Sequence, residues 1–211
     1  MCDRTLSSNE KLVCSDCIAN LPYARISSVS DNFLEEKLRL KIKVESASSL
    51  MIYDKRDNNH KLIYLLKYHN RYDIGVTLGE MGAAEMIDSG RFNDIDIIIP
   101  VPLHKKRLKE RGYNQSMAIA EGISGCMKIP VVDDVVFRHV NNESQTHKDN
   151  EQRWSNSDNI FTVNDNPSLN GKHILLVDDV ITSGATITGC AKKIMEKYDV
   201  RISVFSLATV L

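Results

Sequence analysis

Long apolar runs are missing from these 211 residues. None approaches the ~18 residues that a membrane-spanning helix needs, and the N-terminus carries no apolar signal core. Both absences point to the cytoplasm and to no membrane span. An excess of one charge is missing too: the formal net charge is −1, so affinity for nucleic acid or acidic membranes would have to come from a local patch. Cysteine is sparse and uneven, with five residues, three of them near the start (Cys2, Cys14, Cys17) and two alone (Cys126, Cys190). Such a set does not read as a disulfide framework. It fits a reducing compartment and a metal site, while Cys126 and Cys190, inside apolar helical patterns, read as buried core residues. Internal repeats and low-complexity tracts are absent. So are the common nucleotide loops: no Lys follows Gly184 or Gly189 as a Walker A loop requires, and the three spaced glycines of a Rossmann fingerprint are not there.

What is present has the balance of an ordinary soluble protein, 42% hydrophobic and 26% charged. The length allows one substantial α/β core plus a small appendage. Residues 1–30 are cysteine-bearing and turn-rich, ending in Ser27–Asp31, a linker or surface turn. Ser46–Tyr53 reads as a strand. Asn58-Asn59 reads as the cap of a helix with Leu62, Ile63, Leu65 and Leu66 on its apolar face, stopping near His69-Asn70. A second helix is expected from Ile74 to Asp88, ended by Gly90. Asp96–Ile99 opens a buried strand closed by Pro100 and Pro102. After the basic run Lys105–Arg111 and Gly112, a helix carries Ile119, Ile123 and Met127 at spacings of four. Val131-Val132 and Val135–Phe137 read as strand. Residues 138–159 are polar and aperiodic, a long loop of the kind that serves as a lid or is disordered, with Trp154 inside it.

The final third is the clearest. His173–Val177 is a buried strand, Asp178–Gly184 a loop, and Ala185–Lys197 a helix with Ile187, Ala191, Ile194 and Met195 inward. Ile202–Val210 is another strand. Strand, crossover helix and strand in succession predict an α/β fold with a parallel sheet and helices on its faces.

Ligands of open α/β sheets sit at the carboxyl ends of strands. Val177–Thr186 lies at such an end and leads into a helix N-terminus, where free N–H groups and the helix dipole favour a phosphate. Thr182, Ser183 and Thr186 add hydroxyls, and Gly184 lets backbone and ligand approach closely. Asp178 and Asp179, placed just before this cradle, would repel the same anion. They make sense if they hold neutral sugar hydroxyls or position a hydrated magnesium ion. A sugar carrying a phosphate satisfies both halves.

Leu175–Thr186 resembles the phosphoribosyl diphosphate (PRPP) signature of type I phosphoribosyltransferases. Pro100–His104, Arg111–Gln115, Leu65–Tyr68, Gln145-Thr146, Arg153 and Asn156 narrow the likeness to the competence protein F (ComF, ComFC or GntX-like) family. That resemblance implies a small zinc-finger-like segment over residues 1–30 and a phosphoribosyltransferase domain over 31–211. It implies that Asp178 and Asp179 face the ribose hydroxyls and that Thr182, Ser183, Gly184, Ala185 and Thr186 hold the ribose phosphate. Val101, His104, Lys105, Lys106 and Arg107 would hold the diphosphate, with a solvated helix face as the bland alternative for the basic run. Gln145, Thr146 and Arg153 would belong to a hood that excludes water from the sugar carbon, Arg153 acting in catalysis with the two aspartates. Cys2, Cys14 and Cys17 would be zinc ligands. The family has two cysteine pairs, so the partner expected for Cys2 would lie before Met1, or another ligand takes its place.

The implied function is transfer of phosphoribosyl from magnesium-bound PRPP to a nitrogenous base, in a context of DNA uptake. The implied partners are PRPP, an acceptor such as a nucleobase, single-stranded DNA and DNA-uptake proteins. A second reading, from a different class, is a PRPP-sensing or single-stranded-DNA-associated module without turnover, motivated by the cysteine segment and the Lys105–Arg111 patch.

Overall fold

The computed structural model describes residues 2, 4–8, 10, 12–54, 60–139 and 160–211. Along them run α1 (Ser15–Ala19), α2 (Phe33–Arg39), β1 (Ala47–Ile52), α3 (His60–Tyr68), α4 (Tyr72–Ser89) and β2 (Ile97–Pro100). They are followed by α5 (Lys105–Arg111), α6 (Gln115–Met127), β3 (Val136–Arg138), β4 (Phe161–Val163), β5 (His173–Ile181), α7 (Ala185–Lys197) and β6 (Arg201–Thr209). Four strands form a parallel sheet in the order β1-β6-β5-β2, and β3 and β4 pair as a separate antiparallel ribbon. The parallel α/β expectation holds.

β5 shows why the sheet is covered on both faces. Its alternate residues Ile174 and Leu176 join one apolar cluster with Leu34 and Leu38 of α2 and Ile187 and Ile194 of α7. Leu175 and Val177 point the other way, into a cluster with Leu78 and Met86 of α4 and Ile119 and Ile123 of α6. A central strand apolar on both sides is the pattern of a doubly covered parallel sheet. Helices α4 and α6 approach closely because Gly79 faces Gly122's helix without a side chain: a Cβ on Gly79 would lie 2.3 Å from the Ile119 carbonyl oxygen.

Both sheet edges carry a short cover, which removes a template for unwanted strand pairing. Tyr23 bridges Met51 of β1 in antiparallel sense, and Val131 bridges Ile98 of β2 in parallel sense. The strand expected at Val131-Val132 is therefore a single bridge. The Ser27–Asp31 turn is fastened to the core: the Arg91 guanidinium donates to the Val29 carbonyl at 2.6 Å and to Glu35 at 2.7 Å. Glu35 is fully buried and also accepts the Ala47 N–H at 3.1 Å. The N-terminal segment packs on α3 and α4 around a cavity of about 320 Å³, lined by Val13, Ile18, Leu21, Leu62 and Leu78 among others.

Two further expectations change. The strand does not stop at Val177. Pairing with β6 continues through Val180 and Ile181, both β-branched, so Asp178 and Asp179 are strand residues and the loop shrinks to Thr182–Gly184. Cys190 is buried as expected but Cys126 is exposed, because in the last turn of α6 Met127 takes the place against the core. The helix cap expected at Asn58-Asn59 lies outside the described residues.

At the amino end of β5, His173 sits between Asp94 (Nδ1 to Oδ1, 3.0 Å) and Ser203 (Nε2 to Oγ, 2.9 Å). The order is that of a hydrolytic triad, yet Ser203 is fully buried. It is a structural pin joining β5, β6 and the Asp94 turn.

Candidate active site

Past β2 and α5, α6 packs on the Leu175 face of the sheet, while the helix after β5, α7, packs on the Ile174 face. The chain therefore leaves two neighbouring strands toward opposite sides, the topology that leaves a crevice between the carboxyl ends of such strands. Ligands of doubly wound sheets bind at such a switch point.

On the β5 side, Gly184 caps α7 with φ of 74°, a left-handed conformation that L side chains rarely adopt. A Cβ there would also lie 3.1 Å from Leu38 Cδ2. Thr182 and Ser183 are exposed and Thr186 is partly buried. The loop's carbonyls are taken up from behind. Lys41 Nζ donates to the Ser183 carbonyl at 3.0 Å, and Lys37 Nζ to those of Thr182 at 3.4 Å and Val210. With carbonyls turned to two lysines, the N–H groups of the loop and of the first turn of α7 face the anion side, and that of Ala185 makes a long 3.4 Å bond to Ser183 Oγ. No local pattern marks Lys37 and Lys41, which lie 145 and 142 residues before the carbonyls they bind.

The two aspartates diverge because neighbouring strand residues point to opposite faces. Asp178 Oδ1 accepts the Ser116 hydroxyl at 3.2 Å and the Asp179 N–H at 2.9 Å. Burial first, and the charge of Asp179 second, push the Asp178 carboxyl up to about 7. Asp179 meets Lys67 Nζ at 3.0 Å and the Arg111 guanidinium at 3.9 Å. Lys67 and Ser116 are thus residues of the site that the sequence reading did not assign. The only hint was the Leu65–Tyr68 match.

On the β2 side, Val101 donates its N–H to the Val177 carbonyl at 2.9 Å, and its own carbonyl accepts Asn114 Nδ2 at 3.1 Å. Asn114 also caps α6 by accepting the Ser116 N–H at 3.1 Å. The Arg111–Gln115 segment therefore links both strand ends. His104 caps α5, its Nδ1 accepting the Lys106 N–H at 3.3 Å. The basic run is helical from Lys105 onward, with Lys105 and Lys106 exposed and Arg107 partly buried. Arg138, at the end of β3, lies within electrostatic reach of both Arg107 and Asp178, and burial lowers its pKa. Gln145, Thr146, Arg153 and Trp154 fall outside the described residues.

The thiol groups of Cys2, Cys14 and Cys17 lie within 4.8 Å of one another, and the Cys2 and Cys14 sulfurs are 3.4 Å apart. Zinc–sulfur bonds of ~2.3 Å in a tetrahedron put sulfurs roughly 3.8 Å apart, so three corners of such a site fit. Glu10 does not supply the fourth. Its carboxylate is taken by the N–H groups of Ser7 (2.9 Å) and Ser15 (2.7 Å) and by Arg4 (2.7 Å). Among the described residues no helix is long and apolar enough to cross a membrane.

Residues 109–211 match the model of the phosphoribosyl transferase domain family. Competence protein ComFC of Bacillus subtilis (strain 168) is 37% identical over 101 residues, covering 48% of this chain and 39% of that protein. Competence protein F of Haemophilus influenzae is 30% identical over 154 residues, covering 70% of this chain and 66% of that protein. The chain thus spans less than two thirds of either relative. Among solved structures, a glutamine phosphoribosylpyrophosphate amidotransferase from B. subtilis aligns with a TM-score of 0.42 and 17% identity, over 66% of this chain and 30% of that one.

Proposed function

The chain is a ComF-family protein with a phosphoribosyl transferase domain, and from that premise we propose that it binds phosphoribosyl diphosphate and magnesium between β2 and β5. The observation that carries this reading is the pairing, at one switch point, of two carboxylates with a glycine-opened helix start whose loop carbonyls are held away by Lys37 and Lys41. The Thr182–Thr186 backbone takes the ribose phosphate. Asp178 and Asp179 take the ribose hydroxyls and offer the hard oxygens that suit magnesium, which when bound neutralises the diphosphate. Val101, His104, Lys105, Lys106 and Arg107 face the diphosphate and stabilise its departing charge, and Gln145, Thr146 and Arg153, outside the described residues, are assigned to the hood by the resemblance alone. The chain contributes positioning and charge rather than a covalent nucleophile.

The acceptor is a nitrogenous base, and similarity to two competence proteins supports a context of DNA uptake. Cys2, Cys14 and Cys17 hold zinc in a segment over residues 1–30, appended to the domain over 31–211. Incubating the protein with PRPP, magnesium and a broad panel of bases tests turnover by release of diphosphate. Silence across the panel in a protein that binds PRPP would leave a sensor rather than an enzyme. Metal analysis of the purified protein tests the cysteine site, with zinc expected in the wild type and lost in Cys14→Ser.

One observation favours the second reading, association with single-stranded DNA. Tyr64 and Tyr68, 52% and 63% exposed, meet at 5.1 Å on α3 with their rings tilted by 43°, and Arg111 of the basic α5 lies over Tyr68 at 5.8 Å. Exposed aromatics beside cations suit unpaired bases. Affinity for a single-stranded oligonucleotide that falls steeply with salt would support it, and salt-independent or absent binding would remove it.

A further inference from the structure

Three elements from distant parts of the chain meet at one carboxylate. Lys67 comes from the last turn of α3, Arg111 from the end of α5 and Asp179 from the end of β5. Their side chains are 21%, 13% and 14% exposed, so the group is shielded enough for charge to matter and still reachable from the crevice. Two cations face one anion there.

The geometry of Arg111 is the informative part. Its guanidinium is fixed by a 2.8 Å bond to Gln115 Oε1 and by the Tyr68 ring. Tyr113 ties the same segment down by donating its hydroxyl to the Leu66 carbonyl. Yet Arg111 stands 3.9 Å from Asp179, too far for a hydrogen bond. A rigidly held fork that stops short of its carboxylate has room for a different anion. Lys67, on its flexible stem, reaches Asp179 at 3.0 Å.

We propose that Lys67 and Arg111 are the diphosphate-binding cations on the α3 side of the crevice, held in the ligand-free protein by Asp179 and handed to the diphosphate when Asp179 engages the sugar. The inference rests on the PRPP reading above and deepens it. Asp179 has two competing uses: it neutralises the lysine before binding, and it turns to the ribose hydroxyls or their magnesium afterwards. The incoming diphosphate replaces the lost carboxylate, so neither cation is stranded half-buried without a counter-charge. No covalent bond changes in the exchange. A bidentate arginine–phosphate contact suits the fixed fork of Arg111, and a point charge suits Lys67.

An exchange of this kind has a signature that a plain structural ion pair lacks: Asp179→Asn should act in opposite directions on two ligands. Calorimetry would compare PRPP with magnesium, ribose 5-phosphate, and inorganic diphosphate in EDTA. Lys67→Met and Arg111→Gln are expected to weaken PRPP and diphosphate by about tenfold or more while sparing ribose 5-phosphate. Lys67→Arg should recover most of the loss, which keeps the test open should Lys67→Met fail to fold. Asp179→Asn should weaken PRPP and tighten diphosphate alone. Diphosphate affinity that is unchanged or weaker in Asp179→Asn, or variants of Lys67 and Arg111 that bind PRPP as the wild type does, would overturn the exchange and leave the PRPP reading standing. A folded wild type that binds no PRPP would overturn both.

Discussion

The Ser116 hydroxyl donates to Asp178 Oδ1 across 3.2 Å, joining the first turn of α6 to the end of β5. The same turn reaches β2 through Asn114 and the Val101 carbonyl. The crevice walls are therefore held by side chains that the described structure already engages, and the carboxylate between them is partly buried and raised in pKa.

That raised pKa sets a pH window. The folded protein favours protonated Asp178, so the stabilisation is fully present below the ordinary value of 3.8 and is lost as pH rises through about 7. Asp178→Asn is expected to raise the melting temperature of the ligand-free protein by ~3 °C or more at pH 8. The gain should shrink toward pH 4, read as the difference from wild type in thermal unfolding at each pH.

His173 has the opposite sense. Burial lowers its pKa from 6.5 against the pull of Asp94, so the fold holds the neutral ring. This contribution is present above pH 6.5 and is lost as pH falls below it. His173→Gln should flatten the stability profile between pH 5 and 7 and cost about 1–3 kcal/mol at pH 8, since Ser203 and Asp94 lose a partner. Urea unfolding across that range checks both.

Replacing Lys37 and Lys41 together with Met removes the hold on the Thr182 and Ser183 carbonyls. Both side chains reach solvent in part, so the stability cost should stay below about 1 kcal/mol. PRPP affinity should fall by roughly tenfold, because the loop's N–H groups lose their fixed direction. Calorimetry alongside urea unfolding separates the two effects.

Glu35 is the reverse case, with a structural effect and no place in the crevice. It is fully buried, and Glu35→Ala would take the carboxylate from the largely buried Arg91, 2.7 Å away, and leave Arg39 with Asp31 alone. A loss of about 3–5 kcal/mol is expected, visible as a large drop in the urea midpoint.

The local chemistry was legible in the sequence wherever it lay in one stretch of chain. The β5–α7–β6 unit could be read because its apolar runs, turn glycine and helix period are contiguous, and Asp178, Asp179 and Gly184 came with it. The strand end was misplaced because two aspartates look like loop, whereas pairing of Val180 and Ile181 with Ala208 and Thr209 carries the strand past them. Lys37, Lys41, Lys67 and Ser116 were out of reach for another reason. Each acquires its role only when folding sets it beside residues 62 to 145 positions away, and no spacing in a single sequence encodes that. Cys126 shows the limit of periodicity: its helical register predicts burial, but the last turn of α6 turns it to solvent.

The most direct measurement is calorimetric titration of PRPP with magnesium into the wild-type protein and into the Asp178→Asn, Asp179→Asn double variant. Saturable binding to one site in the wild type and its loss in the folded double variant is the predicted result. A folded wild type that takes up no PRPP, or a double variant that binds it equally well, would contradict a sugar-phosphate site between β2 and β5.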